Sequence, residues 1–217
     1  MTDGGKTDDP NGSKDAATPD GGAPDPDAPA PPVDGAVPID AAVDAPGGSC
    51  TPTSIQLLKN EAFDKTPLGS DWQETRKAEE VALIGKHANI IGVHTEPNAA
   101  WLCGFNSSDQ HLVQQIAVPA GTTALTLSGS YAIKTQEWGS SIYDKGWIEV
   151  EAPGGTPEKL KEWSDNDETS GWAGFSKAAT SAYAGQTITF RFRCTTDSGS
   201  WTVFIFDTLT LTATVCQ

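Results

Sequence analysis

The chain has 217 residues and a formal net charge of −15, from 14 Lys and Arg against 29 Asp and Glu. This acidic balance argues against nucleic acid or an anionic membrane surface as a partner, because both select for clusters of Lys and Arg. No apolar run approaches the roughly 20 residues that a membrane-spanning helix requires.

Residues 1–49 differ in composition from the rest of the chain. They contain 10 Asp, 9 Pro, 9 Ala and 8 Gly, and no aromatic residue. Such a segment has too little apolar surface to offset the entropy lost on ordering, and two Lys against ten Asp leave it self-repelling. We therefore predict a disordered, acidic spacer over 1–49. Residues 50–217 hold all seven Trp and all seven Phe, enough for the core of one domain.

The location of the protein is predicted from the arm. Residues 1–5 lack the apolar segment of a signal peptide. Residues 39–46, Ile-Asp-Ala-Ala-Val-Asp-Ala-Pro, resemble the spacers that follow the lipid-modified cysteine of bacterial lipoproteins. The resemblance implies an extracellular or outer cell-surface location, with an export signal and lipid anchor upstream of this start. A cytosolic chain is the alternative.

The four cysteines allow three pairings into two disulfides. Cys50 opens the predicted domain and Cys216 is the penultimate residue, and domain termini are often close together. Pairing these two leaves Cys103 with Cys194, both within predicted strands, as a bridge through the core. Four free buried thiols remain the alternative. A zinc site is disfavoured because no two cysteines have the short spacing of zinc ligands.

Strand patterns dominate the folded part. Residues 187–194 alternate with period two, and one face carries Ile188, Phe190, Phe192 and Cys194, which indicates a half-buried strand. Residues 125–133 alternate in the same way. Further strands are predicted at 54–59, 81–85, 89–94, 100–104, 111–118, 146–151, 159–164 and 201–215, and a single weak helix at 73–80. Many short strands separated by turns indicate an all-β sandwich or barrel.

One residue breaks the pattern of the last strand. Asp207 is in phase with apolar residues on both sides of it, Val203 and Leu209 among them, so it is predicted to point towards the core. A buried carboxylate costs several kcal/mol unless it is paired or binds a metal. The sequence therefore predicts a partner for Asp207.

Six motifs carry a resemblance to a known domain family. Residues 100–106, Ala-Trp-Leu-Cys-Gly-Phe-Asn, resemble the W-L-G-G-Y-N signature of a bacterial extracellular jelly-roll domain, which is itself similar to MAM and carbohydrate-binding domains. Further similar segments follow in order at 111–121, 135–144, 183–188 and 196–207, and 60–64 resembles the opening of carbohydrate-binding sandwiches. The resemblance spans about 56–213 and implies an antiparallel jelly-roll-like β-sandwich. Cys103 stands where the family has Gly, and Thr208 where it has a second Asp.

The same resemblance implies a structural calcium ion. In related sandwiches an acidic residue after the opening motif and the Asp of the last strand share Ca²⁺, which places the ion at Asp64 and Asp207. Calcium takes six to eight oxygens, so Glu61 and backbone carbonyls are expected to contribute. The alternative is that backbone N–H groups of a loop satisfy Asp207. A second acidic run, 165–168, has the alternate oxygen ligands of a calcium loop but lacks the Gly and the distal Glu of an EF-hand. Residues 168–171 are interpreted more simply as a solvated turn.

A third acidic group surrounds the candidate ligand site. Glu137 and Asp144 flank a loop that contains Trp138 and Tyr143. The two acids either anchor the loop or bind sugar hydroxyls beside the aromatic faces, and paired carboxylates could also cleave a glycoside. Trp138 and Trp201 lie next to Gly and Ser at loop edges, and of the seven Trp they are the candidates for exposed ligand platforms, with ordinary packing at the rim as the alternative.

These observations predict a non-catalytic extracellular binding module, with carbohydrate at the cell surface as the expected ligand class. No G-x-S-x-G motif and no phosphate-binding glycine loop is present in the sequence. The partner is expected to be a polysaccharide or glycoconjugate, with no nucleic acid. The alternatives are an adhesion or scaffold domain that binds a surface protein, and a glycoside hydrolase.

Overall fold

The computed structural model describes residues 50–87 and 89–216, so the predicted spacer, 1–49, lies outside the described residues. The described part contains β-strands and one short 3₁₀ turn, Asp165–Asp167, and no α-helix. The strands are β1 (Pro52–Gln56), β2 (Gln73–Thr75), β3 (Ile84–Gly85), β4 (Ala99–Cys103), β5 (Asp109–Ala117), β6 (Thr122–Thr135), β7 (Lys145–Glu151), β8 (Glu158–Ser164), β9 (Ala173–Ala178), β10 (Thr187–Thr195) and β11 (Thr202–Cys216). In these residues no helix is long and apolar enough to cross a membrane.

The strands form two antiparallel sheets, which confirms the predicted all-β sandwich. The first sheet has the order β3-β4-β11-β6-β9, with β1 also pairing with β11. The second sheet has the order β2-β5-β10-β7-β8. β11 pairs with β4 through its first half, with β1 through its second half, and with β6 along most of its length. The last strand of the chain is therefore the centre of the first sheet.

The main core lies between the sheets. Ile188, Phe190, Phe192 and Cys194 of β10 are fully buried, as their alternation predicts, while the residues between them are partly exposed. The ring of Phe192 packs against that of Phe206 in β11, with centroids 4.7 Å apart. Burying a Phe side chain contributes roughly 1.5–3 kcal/mol, so this facing row stabilises the contact between the sheets.

A second, smaller cluster covers the outer face of the first sheet. This outer cluster consists of Ala99, Trp101, Ala132, Val203 and Ile205. Partly buried side chains of the surrounding loops, including Ile91 and Val93, pack against it. The first half of β11 is therefore apolar on both faces because both faces are covered.

Asp207 lies on that outer face. The prediction that it is in phase with both Val203 and Leu209 holds for Val203 and is wrong for Leu209. Asp207 shares the face of Val203, but Leu209 faces the main core. The pairing of β11 with β6 shifts register between Asp207 and Thr210, and Thr208 has a φ of 52°. A bulge of this kind inserts an extra residue and reverses which side chains face the core.

Two other predicted elements are wrong. The segment 73–80 is not a helix, because Gln73–Thr75 form β2 and pair with β5. The segment 89–94 is not a strand but a loop whose apolar side chains cover the outer cluster. The strands β2 and β9 were not predicted. β9 is an edge strand in which only Ala173 and Phe175 are even partly buried, so its sequence carries too short an alternation to predict a strand.

Both disulfides have the predicted pairing. Cys50 and Cys216 join the two ends of the domain, with Cα atoms 5.2 Å apart. Cys103 of β4 and Cys194 of β10 join the first sheet to the second, with Cα atoms 6.2 Å apart. Cys103 has a φ of 65°, in the left-handed region that favours glycine, which explains why the resembling family has Gly at this position.

Candidate functional site

Three connections meet at one end of the sandwich. They are the β6–β7 loop, the β8–β9 connection and the β10–β11 loop, because β6, β8 and β10 end where β7 and β11 begin. Together they bring four carboxylates close to one another, Glu137, Asp144, Asp165 and Asp197, which we call the acidic rim. The sequence placed only the first two at the candidate ligand site, and it offered Asp165 as part of a separate acidic run.

Asp144 is fully buried at the base of the acidic rim. Its Oδ1 accepts a hydrogen bond from the backbone N–H of Asp197 at 3.0 Å. Its Oδ2 is also buried and has no donor in hydrogen-bond geometry among the described residues, although the side chain of Thr202 lies close enough to lower the pKa of Asp144. One oxygen therefore holds the β10–β11 loop, and the other is left without a donor.

Asp165, from the acidic run that the sequence also offered as a candidate calcium loop, is buried, whereas 166–168 are exposed. Only 3% of this residue is exposed. Its Oδ1 accepts the backbone N–H groups of both Tyr143 and Asp144, each at 3.0 Å. The Oδ2 of Asp165 is buried and, within the part of the chain that the structure covers, has no partner. Asp165 therefore fixes the end of the loop that carries Trp138.

Glu137 and Asp197 complete the acidic rim. Oε1 of Glu137 accepts the backbone N–H of Ser200 at 3.1 Å, and Oδ1 of Asp197 accepts that of Gly199 at 2.6 Å. Glu137, Asp144 and Asp197 each offer one oxygen within 4.8 Å of the others, a group that could hold a metal ion. Glu137 and Asp144 thus lie together, and they anchor their loop to the neighbouring one.

The charge of the acidic rim is not balanced by a basic side chain. None of the ion pairs among the described residues includes a member of the rim. Burial raises the pKa of Asp144, and the nearby Asp197 and Asp165 raise it further. Desolvation also raises the pKa of Glu137, as do Asp144 and Asp197. The rim is therefore a concentration of like charge that would be stabilised by a cation.

Trp138 projects from the loop next to the acidic rim. It is 88% exposed and lines an open cavity of about 560 Å³ together with Thr135, Gln136, Glu137 and Ser200. A cavity of this volume falls in the range of small-molecule sites. Tyr143, on the same loop, is 48% exposed. The two aromatic residues of the loop thus face solvent beside polar groups.

Trp201 has a different environment from Trp138. It is only partly exposed and packs against the outer cluster. The prediction that it forms a second exposed platform therefore has less support than the one for Trp138.

The outer face of the second sheet offers no comparable aromatic platform. Trp147 is only 8% exposed. Lys159 lies over its ring at 4.6 Å and Arg193 at 5.3 Å, and its indole N–H donates to Glu149 at 2.7 Å. These cations occupy the faces on which a ligand would stack. The Trp138 cavity is thus the better candidate for a binding site.

Solved structures provide the comparison with known proteins. TmCBM61 in complex with β-1,4-galactotriose matches with a TM-score of 0.53 and 19% identity, over 72% of this chain and 97% of that one. This chain has the β-sandwich fold of a carbohydrate-binding module. No protein-family model matches the chain, and neither does any curated protein sequence.

Two further structures are less similar to this carbohydrate-binding-module fold. The K2 cleaved adhesin domain of Lys-gingipain has a TM-score of 0.44 and 12% identity, over 73% of this chain and 99% of that one. A family 11 carbohydrate-binding module of a Clostridium thermocellum cellulosomal cellulase has a TM-score of 0.40 and 12% identity, over 73% and 95%. At this level of similarity neither adds to the argument.

The predicted metal ligands of the sandwich form a second acidic group. Asp207 is fully buried, and burial raises its pKa, with Asp64 contributing to the rise. Burial also raises the pKa of Asp64, as do the nearby Glu61 and Glu96. The backbone oxygen of Glu61 accepts the N–H of Leu209 at 3.1 Å. The three predicted residues therefore lie near one another, together with Glu96, which the sequence did not indicate.

Sequence reasoning did not connect Asp165 and Asp197 with the loop that carries Trp138. Asp165 lies in an acidic run that the sequence offers as a separate calcium loop, and Asp197 lies in an Asp-Ser-Gly-Ser turn. The only signal is that Asp165 directly follows the predicted strand 159–164 and that Asp197 comes shortly after the predicted strand 187–194. That signal does not tell which loops meet at the same end of the sandwich.

Proposed function

We propose that this domain is a non-catalytic carbohydrate-binding module that takes a polysaccharide or glycoconjugate at the Trp138 cavity. The observation that carries the proposal is an 88% exposed indole beside a polar, open cavity of about 560 Å³. The apolar face of a sugar ring stacks on an indole, and amide, hydroxyl and carboxylate groups hydrogen-bond its hydroxyls. Gln136, Glu137 and Ser200 offer those groups.

The fold is in keeping with this function. TmCBM61, which shares it, was solved in complex with β-1,4-galactotriose. We therefore include β-linked galactosides among the first ligands to test. The identity of the sugar is to be decided by experiment, since the likeness in fold does not carry the ligand with it.

The geometry of the acidic rim supports binding rather than hydrolysis. A glycosidase needs two carboxyl groups that both face the substrate. Asp144 has no exposed surface, and its carboxylate is held by the backbone N–H of Asp197. Of the pair that the sequence suggested, only Glu137 lines the cavity.

We propose an extracellular or cell-surface location for the domain, tethered by the acidic spacer. The two disulfides support an oxidising compartment. The lipoprotein-like anchor rests on the composition of residues 39–46 alone. Mass spectrometry of the protein from its native membrane fraction tests it, since an anchored chain would carry a lipid-modified N-terminus.

The central test is a glycan array followed by calorimetry with the full chain. We expect Trp138→Ala to weaken binding of the best glycan by about tenfold or more, because it removes the stacking surface. Ile142→Ala is the matched control, since Ile142 is 55% exposed on the same loop but does not line the cavity. It should change affinity by less than about twofold. Equal affinity of the wild type and Trp138→Ala would refute this site.

Adhesion to a protein is the second candidate function, and a separate surface favours it. Val81, Ile90 and Phe105 are 50%, 39% and 37% exposed and line an apolar cavity of about 110 Å³ with Leu83. Exposed apolar patches mark protein contacts. Phe105→Ser should abolish binding to isolated cell-surface protein if this surface is the functional one. A blank glycan array together with that loss would place adhesion ahead.

We also propose a structural calcium ion at Asp64 and Asp207, as the family resemblance implies. Oδ1 of Asp64 is buried and has no hydrogen-bond partner among the residues described, and the charge of Asp64 contributes to the raised pKa of Asp207. Carboxylate and backbone oxygens are the ligands that Ca²⁺ prefers. Asp64→Asn should remove one calcium equivalent in calorimetry, while Asp71→Asn, which alters a surface acid paired with Lys65, should not.

A further inference from the structure

We propose that the acidic rim is a second Ca²⁺ site, with oxygens from Glu137, Asp144, Asp165 and Asp197 as ligands, and that the bound ion holds the Trp138 loop in place. This site is distinct from the one at Asp64 and Asp207. Asp144 lies next to Thr202 at the start of β11, and Asp207 is five residues further along that strand, about 17 Å at the rise of an extended chain.

The first support is the pair of buried oxygens without donors. Oδ2 of Asp144 and Oδ2 of Asp165 are both buried and have no partner within the described residues, although their residues are 0% and 3% exposed. The two carboxylates are neighbours, because Oδ1 of Asp165 accepts the backbone N–H of Asp144. A buried carboxylate oxygen without a donor is strongly unfavourable unless it coordinates a cation. Two in one place indicate a missing positive charge.

The second support is the arrangement of the remaining ligands. Oxygens of Glu137, Asp144 and Asp197 lie within 4.8 Å of one another. Calcium binds oxygen at about 2.3–2.6 Å, so ligands on opposite sides of one ion stand up to about 5 Å apart. A set of carboxylates without His or Cys selects a hard cation over zinc or copper. Backbone carbonyls and water would complete the coordination of Ca²⁺.

The position of the ligands couples the ion to the Trp138 loop. Glu137 precedes Trp138 directly, and Asp144 closes the same loop. Asp165 accepts the N–H groups of Tyr143 and Asp144, so a single ion would join the loop to the connections on either side. Without the cation, four like charges would repel one another and loosen these contacts. The ion is thus expected to order the loop.

The ion site is tested by calorimetry on the full chain after removal of metal with EDTA. The wild type should bind two Ca²⁺, one at the acidic rim and one at Asp64 and Asp207. Asp144→Asn should weaken the affinity for one of these ions by about tenfold or more. The amide oxygen of Asn can still accept the N–H of Asp197, so the loop contact is kept. Glu168→Gln is the matched control, because Glu168 lies at the surface near Lys134 and should leave both sites unchanged.

A variant outside the core guards against misfolding of Asp144→Asn. Glu137→Gln, at the partly exposed edge of the rim, should weaken the same equivalent while keeping the circular dichroism of the wild type. Asp64→Asn should remove the other equivalent and leave this one. Unchanged calcium binding in folded Asp144→Asn and Glu137→Gln would overturn the proposal.

The coupling is tested by hydrogen exchange, which needs no ligand. Calcium should slow exchange of the Tyr143, Asp144 and Ser200 amides by about fivefold or more in the wild type and in Asp64→Asn, but not in Asp144→Asn. If calcium left the exchange rates of these three amides unchanged in the wild type, the proposed coupling would be overturned.

The consequence of this coupling between the ion and the Trp138 loop for sugar binding rests on the proposed function. Affinity for the glycan should fall by about fivefold or more in EDTA. Calcium binding and loop protection without any glycan binding would refute the carbohydrate function and leave the ion site standing.

Discussion

The carboxylate of Asp207 accepts a hydrogen bond from the backbone N–H of Thr95 at 2.7 Å, although 112 residues separate the two. Its other oxygen accepts the N–H of Thr208 at 2.7 Å. The contact fastens the loop before β4 to the outer face of the first sheet. Backbone N–H groups therefore do bind the carboxylate of Asp207, as the alternative to a calcium ion predicted. A calcium ion can bind there as well, since each carboxylate oxygen accepts more than one partner.

Asp207→Ala should lower the free energy of unfolding by about 1–3 kcal/mol in EDTA, because two backbone donors lose their acceptor. Urea denaturation at neutral pH measures the change. Lys65→Ala removes only a surface ion pair with Asp71 and should change stability by less than about 1 kcal/mol. Equal effects of the two substitutions would show that the contact with Thr95 is not stabilising.

Gly146→Ala should destabilise the domain by about 1–3 kcal/mol or more. A Cβ at this position would lie 2.6 Å from two atoms of the Phe204 ring, which is fully buried between the sheets. Gly92→Ala is the control, because a Cβ there would meet nothing within 4 Å. The control should stay within about 0.5 kcal/mol of the wild type. If Gly146→Ala were as stable as Gly92→Ala, the packing described for Phe204 would be wrong.

Removing the disulfide between the sheets should destabilise the domain more than removing the one between the termini. The loops they close span 91 and 166 residues, for which chain entropy alone gives about 4–5 kcal/mol each, slightly more for the longer loop. Cys103 and Cys194 are 5% and 0% exposed, so their replacement by Ala also opens a void in the core. Calorimetric unfolding of the two double variants measures the order, and the reverse order would favour the entropic effect alone.

The acidic rim should make stability depend on pH in a defined direction. Because burial raises the pKa of Asp144 above 3.8, the folded protein holds this proton more tightly than the unfolded chain. The stability gained from the proton is complete below pH 3.8 and is lost as the pH rises through the folded pKa. In EDTA, the wild type should therefore lose stability relative to Asp144→Asn as the pH increases over this window.

Calcium should reverse that loss, because the ion replaces the proton and binds the ionised carboxylate. Urea denaturation of both proteins from pH 3 to pH 8, with and without calcium, measures the difference. The amide variant cancels the contribution of the titrating groups that Asp144 does not influence. The free energy of unfolding of the wild type minus that of Asp144→Asn should fall as the pH rises in EDTA. A value that stays flat or rises would contradict the arrangement described for Asp144.

The value of the sequence patterns differs from element to element. The alternation of Ile188, Phe190 and Phe192 predicts a half-buried strand, and all three are fully buried. Ile91 and Val93 also alternate, but they cover the outer cluster from a loop. Periodicity reports which side chains are buried, and it does not report whether a neighbouring strand supplies hydrogen bonds. The edge strand β9 is hydrogen-bonded to β6 but has no fully buried residue, so periodicity did not predict it.

The sequence by itself determined the all-β class, because alternation along a strand is a local property. It also favoured the observed pairing of the cysteines, because Cys50 and Cys216 stand at the two ends of the domain. It also indicated the loop from Glu137 to Asp144. The tertiary structure alone decided that Asp165 and Asp197 join this loop, because they arrive from connections 20 to 60 residues away that only the order of strands in the sheets brings together. It likewise decided the face on which Asp207 lies, since one extra residue at a bulge reverses a strand, and no pattern of neighbours announces that reversal.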